Sequence, residues 1–282
     1  MDVVHTVAQL RARLARERSV ALVPTMGNLH AGHLSLVDIA RGRGECVVAS
    51  IFVNRLQFEP GGDFDRYPRT LARDCDLLEK AGCRVVFAPD EGEMYPEAQE
   101  VVVAPPRVAA TLEGEFRPGH FQGVTTVVTK LFNLVAPQVA VFGKKDYQQL
   151  MVIRAMVRQL GFAIEIVAAE TVREADGLAM SSRNGYLTRE ERAEAVRLNR
   201  DLRQVKERAE RGEPDLAAVA RAAQDDLAAA AWAVDYVAVR RRTDLAPPAG
   251  ADRELVVLGA ARLGKTRLID NLEILRPGAG PA

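Results

Sequence analysis

Up to about residue 170 this chain alternates short apolar runs with stretches of helical periodicity, and that alternation limits the fold more than any other feature. The apolar runs fall at 20–24, 46–53, 84–88, 139–142 and 163–168; the helical patterns between them fall at 33–43, 70–81, 121–135 and 146–160. A run such as Cys46 to Val53 is apolar at nearly every position, so both faces of the strand must be covered, as in parallel sheets. Parallel neighbours need crossover connections, and the helices in the gaps supply them. The expected fold is α/β: a doubly wound parallel sheet that presents ligand sites at the carboxyl ends of its strands. After about residue 175 the order changes. A long Arg/Glu-rich helix (188–210) leads through the break Gly212-Glu213-Pro214 to an Ala-rich helix (215–231), and β-like runs follow at 234–240, 254–261 and 266–271. Helices followed by strands predict a small α+β domain. The expected division is 1–172 and 173–282, with Arg173-Glu174-Ala175-Asp176-Gly177 as a hinge and Pro277 to Ala282 as a disordered tail.

With 282 residues, 48% of them hydrophobic, the chain can bury a large core. Its 38 basic and 38 acidic side chains cancel, so no global field draws it to nucleic acid, and attraction for a polyanion must be local. Cys46, Cys75 and Cys83 have no paired metal spacing and, being odd in number, no disulfide framework. No run approaches the ~18–20 apolar residues of a membrane span. The amphipathic, Arg-rich N-terminus (Val7, Leu10, Leu14) lacks a signal-peptide core. These features predict a cytoplasmic protein that binds neither nucleic acid nor membrane.

The segment Pro24-Thr25-Met26-Gly27-Asn28-Leu29-His30-Ala31-Gly32-His33 joins the first apolar run to the first helical pattern. A helix start offers unpaired N–H groups and the positive end of the dipole, which suits phosphate. Gly27 and Gly32 let the backbone approach a ligand closely, and His30 and His33, at i and i+3, can address one anion from a shared face. A zinc helix would place its histidines at i and i+4 with a Glu between, and the chain has four histidines in all, so metal ligation through this pair is disfavoured. The pattern reads as a nucleotide triphosphate site. A common strand–glycine–helix turn with solvated imidazoles is the alternative.

Four further clusters fall where such a sheet places ligands. Asn54 and Gln57 follow the second strand and can bind hydroxyls or carboxylates without adding charge, or form a polar turn. Gly143-Lys144-Lys145-Asp146 follows the strand 139–142; a lysine there can reach phosphate oxygens, Asp146 can cap the next helix or hold a metal, and Gln149 shares its helical face. Met180-Ser181-Ser182-Arg183, in the expected inter-domain loop, offers two hydroxyls and a guanidinium to a triphosphate. Glu113-Gly114 and Arg117-Pro118-Gly119-His120 form either a site rim or a turn with a surface charge pair. One motif misleads. Gly259-Ala260-Ala261-Arg262-Leu263-Gly264-Lys265-Thr266 satisfies the phosphate-loop pattern, yet Thr266-Arg267-Leu268-Ile269-Asp270-Asn271 alternates like a strand where that loop requires a helix. It is expected to be a chance match within a β-meander.

Taken in order, PTMGNLHAGH, SIFVN..QF, RYPRTL, LEG..RPGHF.GV, FG.KD.QQL, DGLAMSSRN and RLIDN resemble the pantothenate synthetase family over nearly the whole chain. The first segment resembles the His-x-Gly-His signature of the adenylating nucleotidyltransferases, and Met180 to Arg183 looks like the counterpart of their Lys-Met-Ser-Lys-Ser loop. The resemblance implies a Rossmann-like sheet with a smaller C-terminal α+β lid, and ATP-dependent condensation of D-pantoate with β-alanine through a pantoyl adenylate. It implies Mg²⁺ and a homodimer built through the N-terminal domain. Carried over by position, Met26, Gly27, Asn28, Leu29, His30, Ala31, Gly32 and His33 would line the ATP site, together with Gly143, Lys144, Lys145, Asp146, Val172, Met180, Ser181, Ser182 and Arg183. His30, His33, Lys145, Ser181, Ser182 and Arg183 would surround the transition-state charge, with His33 in the acid role. Gln57, Gln149 and Asn54 would hold substrate, and Pro24, Met26 and Phe58 would receive its methyl groups.

Two departures from the family stand out: Arg55 where proline is usual, and Lys144 where an acidic or polar residue is usual. Each adds a cation near an anionic ligand. Two other readings keep the motifs but change the outcome: a nucleotidyltransferase that releases its nucleotidylated product, and a nucleotide-binding regulatory protein without turnover.

Overall fold

A computed structural model describes residues 1–59 and 61–277; of the expected disordered tail, 278–282 lie outside the described residues. The chain divides into two compact units: Met1–Lys144 with Gln148–Thr171, and Lys145–Tyr147 with the chain from Val172 onward. The short excursion at Lys145–Tyr147 has no counterpart in the sequence reading.

The first unit contains β1 (Asp2–Val4), α1 (Val7–Leu14), β2 (Val20–Thr25), α2 (Ala31–Arg41), β3 (Cys46–Ile51), α3 (Leu71–Lys80) and β4 (Val85–Phe87). It continues through α4 (Glu91–Met94), α5 (Glu113–Phe116), α6 (His120–Val135), β5 (Val139–Gly143), α7 (Tyr147–Leu160), whose first residue belongs to the second unit, and β6 (Glu165–Ala169). The six strands form one sheet in the order β1-β4-β3-β2-β5-β6, and every pairing is parallel. Successive strand residues enter opposite cores, as the two-residue period requires. Leu22, Val48, Phe87 and Ala140 pack with Leu10 of α1, Val128 and Phe132 of α6 and Ile153 of α7. Ala21, Val47, Val86 and Val139 pack with Val37 and Ala40 of α2 and Leu78 of α3. That double burial explains the uninterrupted apolar runs. β1 went unexpected because three residues are too few to show a period.

The strand order reverses between β2 and β5, so the carboxyl ends of these two strands flank the topological switch point, where open α/β sheets bind ligands. Pro24–Gly27 leaves one of these ends and Gly143-Lys144 leaves the other.

The second unit contains α8 (Arg189–Glu194), α9 (Val196–Glu210), α10 (Leu216–Ala229), β7 (Ala233–Arg241), β8 (Glu254–Leu263) and β9 (Thr266–Leu275). Its antiparallel sheet, ordered β7-β8-β9, buries Val237, Val239, Leu255 and Val257 against Leu198 and Leu202 of α9 and Val219 and Leu227 of α10. The expected helix 188–210 is a pair jointed at Ala195, which keeps helical angles (φ −57°, ψ −24°). The phosphate-loop look-alike is a hairpin: Gly259–Leu263 lies in β8, Gly264-Lys265 makes the turn, and Thr266 opens β9 opposite Leu263. The expected hinge is a bonded turn inside this unit, with Glu174 N donating to Leu178 O (2.8 Å) and Gly177 N to Glu174 O (2.9 Å). Met180 to Arg183 likewise belongs to the second unit rather than to a free connection.

Candidate active site

The loop after β2 is shaped from behind by one carboxylate. Asp74 of α3 is fully buried, and its two oxygens accept from Asn28 N (2.8 Å), Leu29 N (2.9 Å) and Thr70 Oγ1 (3.0 Å). The turn needs left-handed backbone at Gly27 (φ 80°) and Asn28 (φ 51°), residue types that tolerate it. A Cβ on Gly27 would lie 3.1 Å from both Asp74 Oδ2 and Ile51 Cγ2. Charge-assisted bonds from buried amides are among the stronger ones in proteins, so Asp74 is a main restraint on this loop.

The two histidines make a capping box. His30 is the N-cap of α2, with extended backbone (φ −136°, ψ 175°), and its Nδ1 accepts from Gly32 N at 3.1 Å. His33 Nδ1 in turn accepts from His30 N at 3.3 Å. This is the geometry of a Ser-x-x-Glu box with imidazoles in both roles. His30 therefore stands just outside the helix rather than on its face, and α2 begins two residues before the expected 33. The ring centroids are nonetheless 4.1 Å apart. Because each Nδ1 accepts from backbone, the neutral rings are assigned their proton on Nε2. The result is a helix N-terminus with two imidazole N–H donors in fixed tautomers.

Asn54 and Gln57 lie on the turn after β3. Asn54 is 1% exposed: Nδ2 donates to Gln57 Oε1 (3.1 Å) and Gly123 O (3.1 Å), while Oδ1 accepts from Tyr95 OH (2.8 Å). Both Nδ2 hydrogens are thus used inside the protein, one of them to position Gln57, while Oδ1 keeps one acceptor lone pair beside the Tyr95 bond. The Gln57 amide lies 3.1 Å from Met26 Sδ, and its main-chain carbonyl lies 2.9 Å from His120 Nδ1. Gly123 permits the docking of this turn on α6: a Cβ there would meet Leu56 O at 2.2 Å. His120 is buried beside Arg117 (3.1 Å), which approaches Glu113 at 3.8 Å, so the expected rim braces the Gln57 turn. Phe58 packs edge-on against Phe64 and Tyr67. Gln149 is half-buried on α7.

Both unusual cations are neutralised locally. Arg55 bonds Glu91 (2.9 Å) and lies 4.0 Å over the Phe64 ring, and Lys144 Nζ is 2.5 Å from Glu170 Oε1.

In the second unit, Asn271 Nδ2 donates to the main-chain carbonyl of Lys145 at 2.9 Å. The preceding Asp270 accepts both guanidinium nitrogens of Arg173 (2.8 and 2.9 Å) and Asn199 Nδ2 (2.9 Å). Tyr147 OH donates to Glu273 at 3.0 Å, and burial together with that carboxylate pushes its phenol up to about 12. Strand β9 thus holds the Lys145 segment at two points. Lys145 Nζ lies 3.9 Å from Asp146. Ser181 caps the 3₁₀ turn Ser182–Tyr186 by accepting from Arg183 N (3.2 Å), and Met180 N bonds Val172 O (3.0 Å). Sequence reasoning missed Asp74, Tyr95 and Asn271 as site residues. Asp74 and Tyr95 belong to elements that carry no ligand motif. Asn271 does sit in a quoted family segment, RLIDN, but nothing in that segment names Lys145 as its partner.

Comparison with known proteins agrees with these features. The family model described as pantoate–β-alanine ligase matches residues 2–273. A pantothenate synthetase of Nitrosospira multiformis is 59% identical over 274 residues, 97% of this chain and 98% of that one. One from Thiobacillus denitrificans is 59% identical over 275 residues, 97% of each chain. A crystal structure of pantothenate synthetase from Thermus thermophilus superposes with a TM-score of 0.93 at 50% identity, covering 98% of this chain and 100% of the other. The Francisella tularensis pantoate–β-alanine ligase, solved with a β,γ-ATP ligand and β-alanine, superposes at 0.81 with 30% identity, covering 96% and 97%. A family model matching residues 2–273 and relatives of nearly equal length together show that the chain belongs to the pantoate–β-alanine ligase family.

Proposed function

We propose that this chain condenses D-pantoate with β-alanine at the expense of ATP, forming pantothenate, AMP and pyrophosphate through an enzyme-held pantoyl adenylate. The observation that supports this reading is the His30/His33 capping box at the switch point, with two imidazoles whose centroids lie 4.1 Å apart at a helix N-terminus. A free carboxylate is a poor acyl donor and must first be joined to AMP. Its attack on the α-phosphate builds negative charge on phosphoryl oxygens. His30 and His33 donate to that charge, with His33 as the acid, while donors already in place need no reorganisation in the transition state. Lys145, Ser181, Ser182 and Arg183 neutralise the triphosphate. The backbone of Met26 to His33 and of Gly143 to Asp146, with Val172 and Met180, contacts the nucleotide. Gln57, braced by Asn54 and His120, and Gln149 hold the pantoate oxygens, and Pro24, Met26 and Phe58 face its methyl groups. The amine of β-alanine then attacks the acyl carbon and AMP leaves.

Among the described residues no group of three His, Cys, Asp or Glu side chains is placed to hold a metal. Mg²⁺ needs only one or two carboxylates beside substrate phosphates, so the nucleotide is taken as its magnesium complex, with Asp146 as the available carboxylate. In this reading residues 1–172 are the nucleotide-binding domain and 173–282 a lid, which suits an acyl adenylate that water would destroy. The enzyme is a cytoplasmic homodimer through the first domain, and no helix among the described residues is long and apolar enough to cross a membrane.

The test is pyrophosphate release from MgATP with D-pantoate, with and without β-alanine. Pantoate-dependent release, with AMP and pantothenate accumulating only when the amine is present, is expected. A stable adenylated product would favour the nucleotidyltransferase reading, and ATP binding without release would favour the regulatory one.

A further inference from the structure

The second unit holds a cavity of about 490 Å³ where α10 runs past the free edge of β7, and no residue assigned to the ligase reaction lines it. That volume lies within the range of about 300–1,000 Å³ found for small-molecule sites. One wall is a single face of α10: Ala217, Ala220, Arg221 and Gln224 recur at helical spacing. The other wall is β7 from Tyr236 to Arg240, and Pro247 and Pro248 form an apolar rim.

Polar groups in this cavity are arranged to donate. Arg242 N bonds Glu254 O across the sheet while Arg241 N bonds Ala246 O away from it. By the alternation of an antiparallel ladder, Val237 and Val239 therefore turn their backbone groups outward, into the cavity. Their carbonyls are covered, Val237 O by Gln224 Nε2 (3.0 Å) and Val239 O by Arg240 Nη1 (3.0 Å). Among the described residues the outward N–H groups of Val237 and Val239 have no partner. Three guanidinium groups line the same space: Arg221, Arg240 and Arg276. Arg276 donates to the Glu213 carbonyl (2.9 Å), and none of the three has a carboxylate partner among the described residues. Arg240 is half-buried, and its burial lowers the proton affinity of a cation that lacks a counter-charge. Asp215, the one acid on the wall, is occupied as N-cap of α10, accepting from Ala218 N at 2.8 Å.

A half-buried, unpaired arginine is unfavourable unless something anionic completes it. We propose that this cavity is a second ligand site, taking a small organic anion whose carboxylate or phosphate head meets Arg240, Arg221 and the edge amides while its apolar body lies against the prolines and Ala220. The site needs nothing from the nucleotide chemistry and stands whether or not the ligase reading holds.

The experiment is calorimetric titration of the full chain with phenyl phosphate and, separately, with benzoate. One saturable site per chain is expected for at least one probe, and comparing the two identifies the preferred head group. Affinity should fall at least tenfold in Arg240→Met and vanish in Ala217→Trp, which fills the cavity from an exposed helix position and leaves all three arginines intact. His33→Ala should leave it unchanged. Absence of saturable binding for both probes, undiminished affinity in Ala217→Trp, or loss of binding in His33→Ala would each overturn the proposal.

Discussion

Two segments of this molecule carry similar phosphate-site signals and meet opposite fates. Thr25–His33 and Gly259–Thr266 each leave a buried strand, turn at glycine and carry basic side chains. The first enters a helix and the second enters another strand. In the first, Asp74 takes up Asn28 N and Leu29 N from the protein side, and the helix start remains with two imidazole donors. In the second, the flanking residues are consumed by the β8–β9 ladder, and Lys265 stands on the hairpin turn. The element that follows a glycine loop decides what the loop presents, a helix start flanked by imidazoles or a hairpin turn, and the letters of the loop do not.

The strongest way to break that contrast is a matched pair of alanine variants. His33→Ala should lower kcat by roughly 100- to 1,000-fold, about 2.7–4 kcal/mol, the loss found on removing one transition-state donor. Lys265→Ala should leave turnover within twofold; parity between the two in a pyrophosphate-release assay would erase the distinction. Next comes the restraint behind the loop. Asp74→Asn replaces one acceptor oxygen by an NH₂ group facing backbone N–H, and about 1.5–3 kcal/mol is at stake for a charged hydrogen bond. A fall in kcat/KM of roughly tenfold to a hundredfold is expected with the fold retained by circular dichroism. An unchanged kcat/KM would mean the loop is held by other contacts.

Glycine substitutions sharpen the comparison further. Gly27 and Gly264 both have positive φ (80° and 55°), so alanine at either should destabilise by about 1–2 kcal/mol in denaturant titrations. At Gly264 the new Cβ must also displace the Glu191 carboxylate, which lies 2.0 Å away. Only Gly27→Ala should also reduce turnover.

The smallest effect belongs to the unit that carries the hairpin. Burial pushes the Asp201 carboxyl up to about 6, with Arg200 at 3.1 Å opposing that rise and Asp226 adding to it. The folded state then binds this proton more tightly than the unfolded chain, so stability falls as pH rises from about 4 to 6 and the penalty is complete above that. That rise, in which the opposing Arg200 pair is already included, corresponds to at most about 3 kcal/mol, and relaxation and water entry around the charge reduce it. Asp201→Asn should therefore stabilise by about 1–2 kcal/mol at pH 7.5 and by nothing measurable at pH 4. A gain that does not depend on pH would rule out the buried charge as its origin.

The strands of the parallel sheet were legible because burial on both faces leaves nearly unbroken apolar runs, and their limits differ from expectation by only one or two residues. The rejected phosphate loop was legible too, because the alternation after Thr266 is a local property. Other features were hidden for a common reason: they depend on partners distant in sequence. His30 is recognisable as a ligand candidate but not as a cap, because imidazole is an unusual capping group. Asn54 reads as a substrate contact, and only the fold shows that its NH₂ group is spent on Gln57 and Gly123 while Tyr95 takes one of its acceptor positions. Arg55 and Lys144 look like added charge until Glu91 and Glu170 are found beside them.

By itself, the order of residues determined the α/β class and the succession of elements and marked the side chains whose chemistry suits a triphosphate, since periodicity and motif spacing are short-range consequences of backbone geometry. Tertiary structure decided which of those side chains remain available, because hydrogen-bonding capacity is finite and is spent on whichever partners folding brings near. That is why Asp74, 44 residues beyond His30 in sequence, shapes the loop that presents it, and why Asn271 holds Lys145 from the far end of the chain.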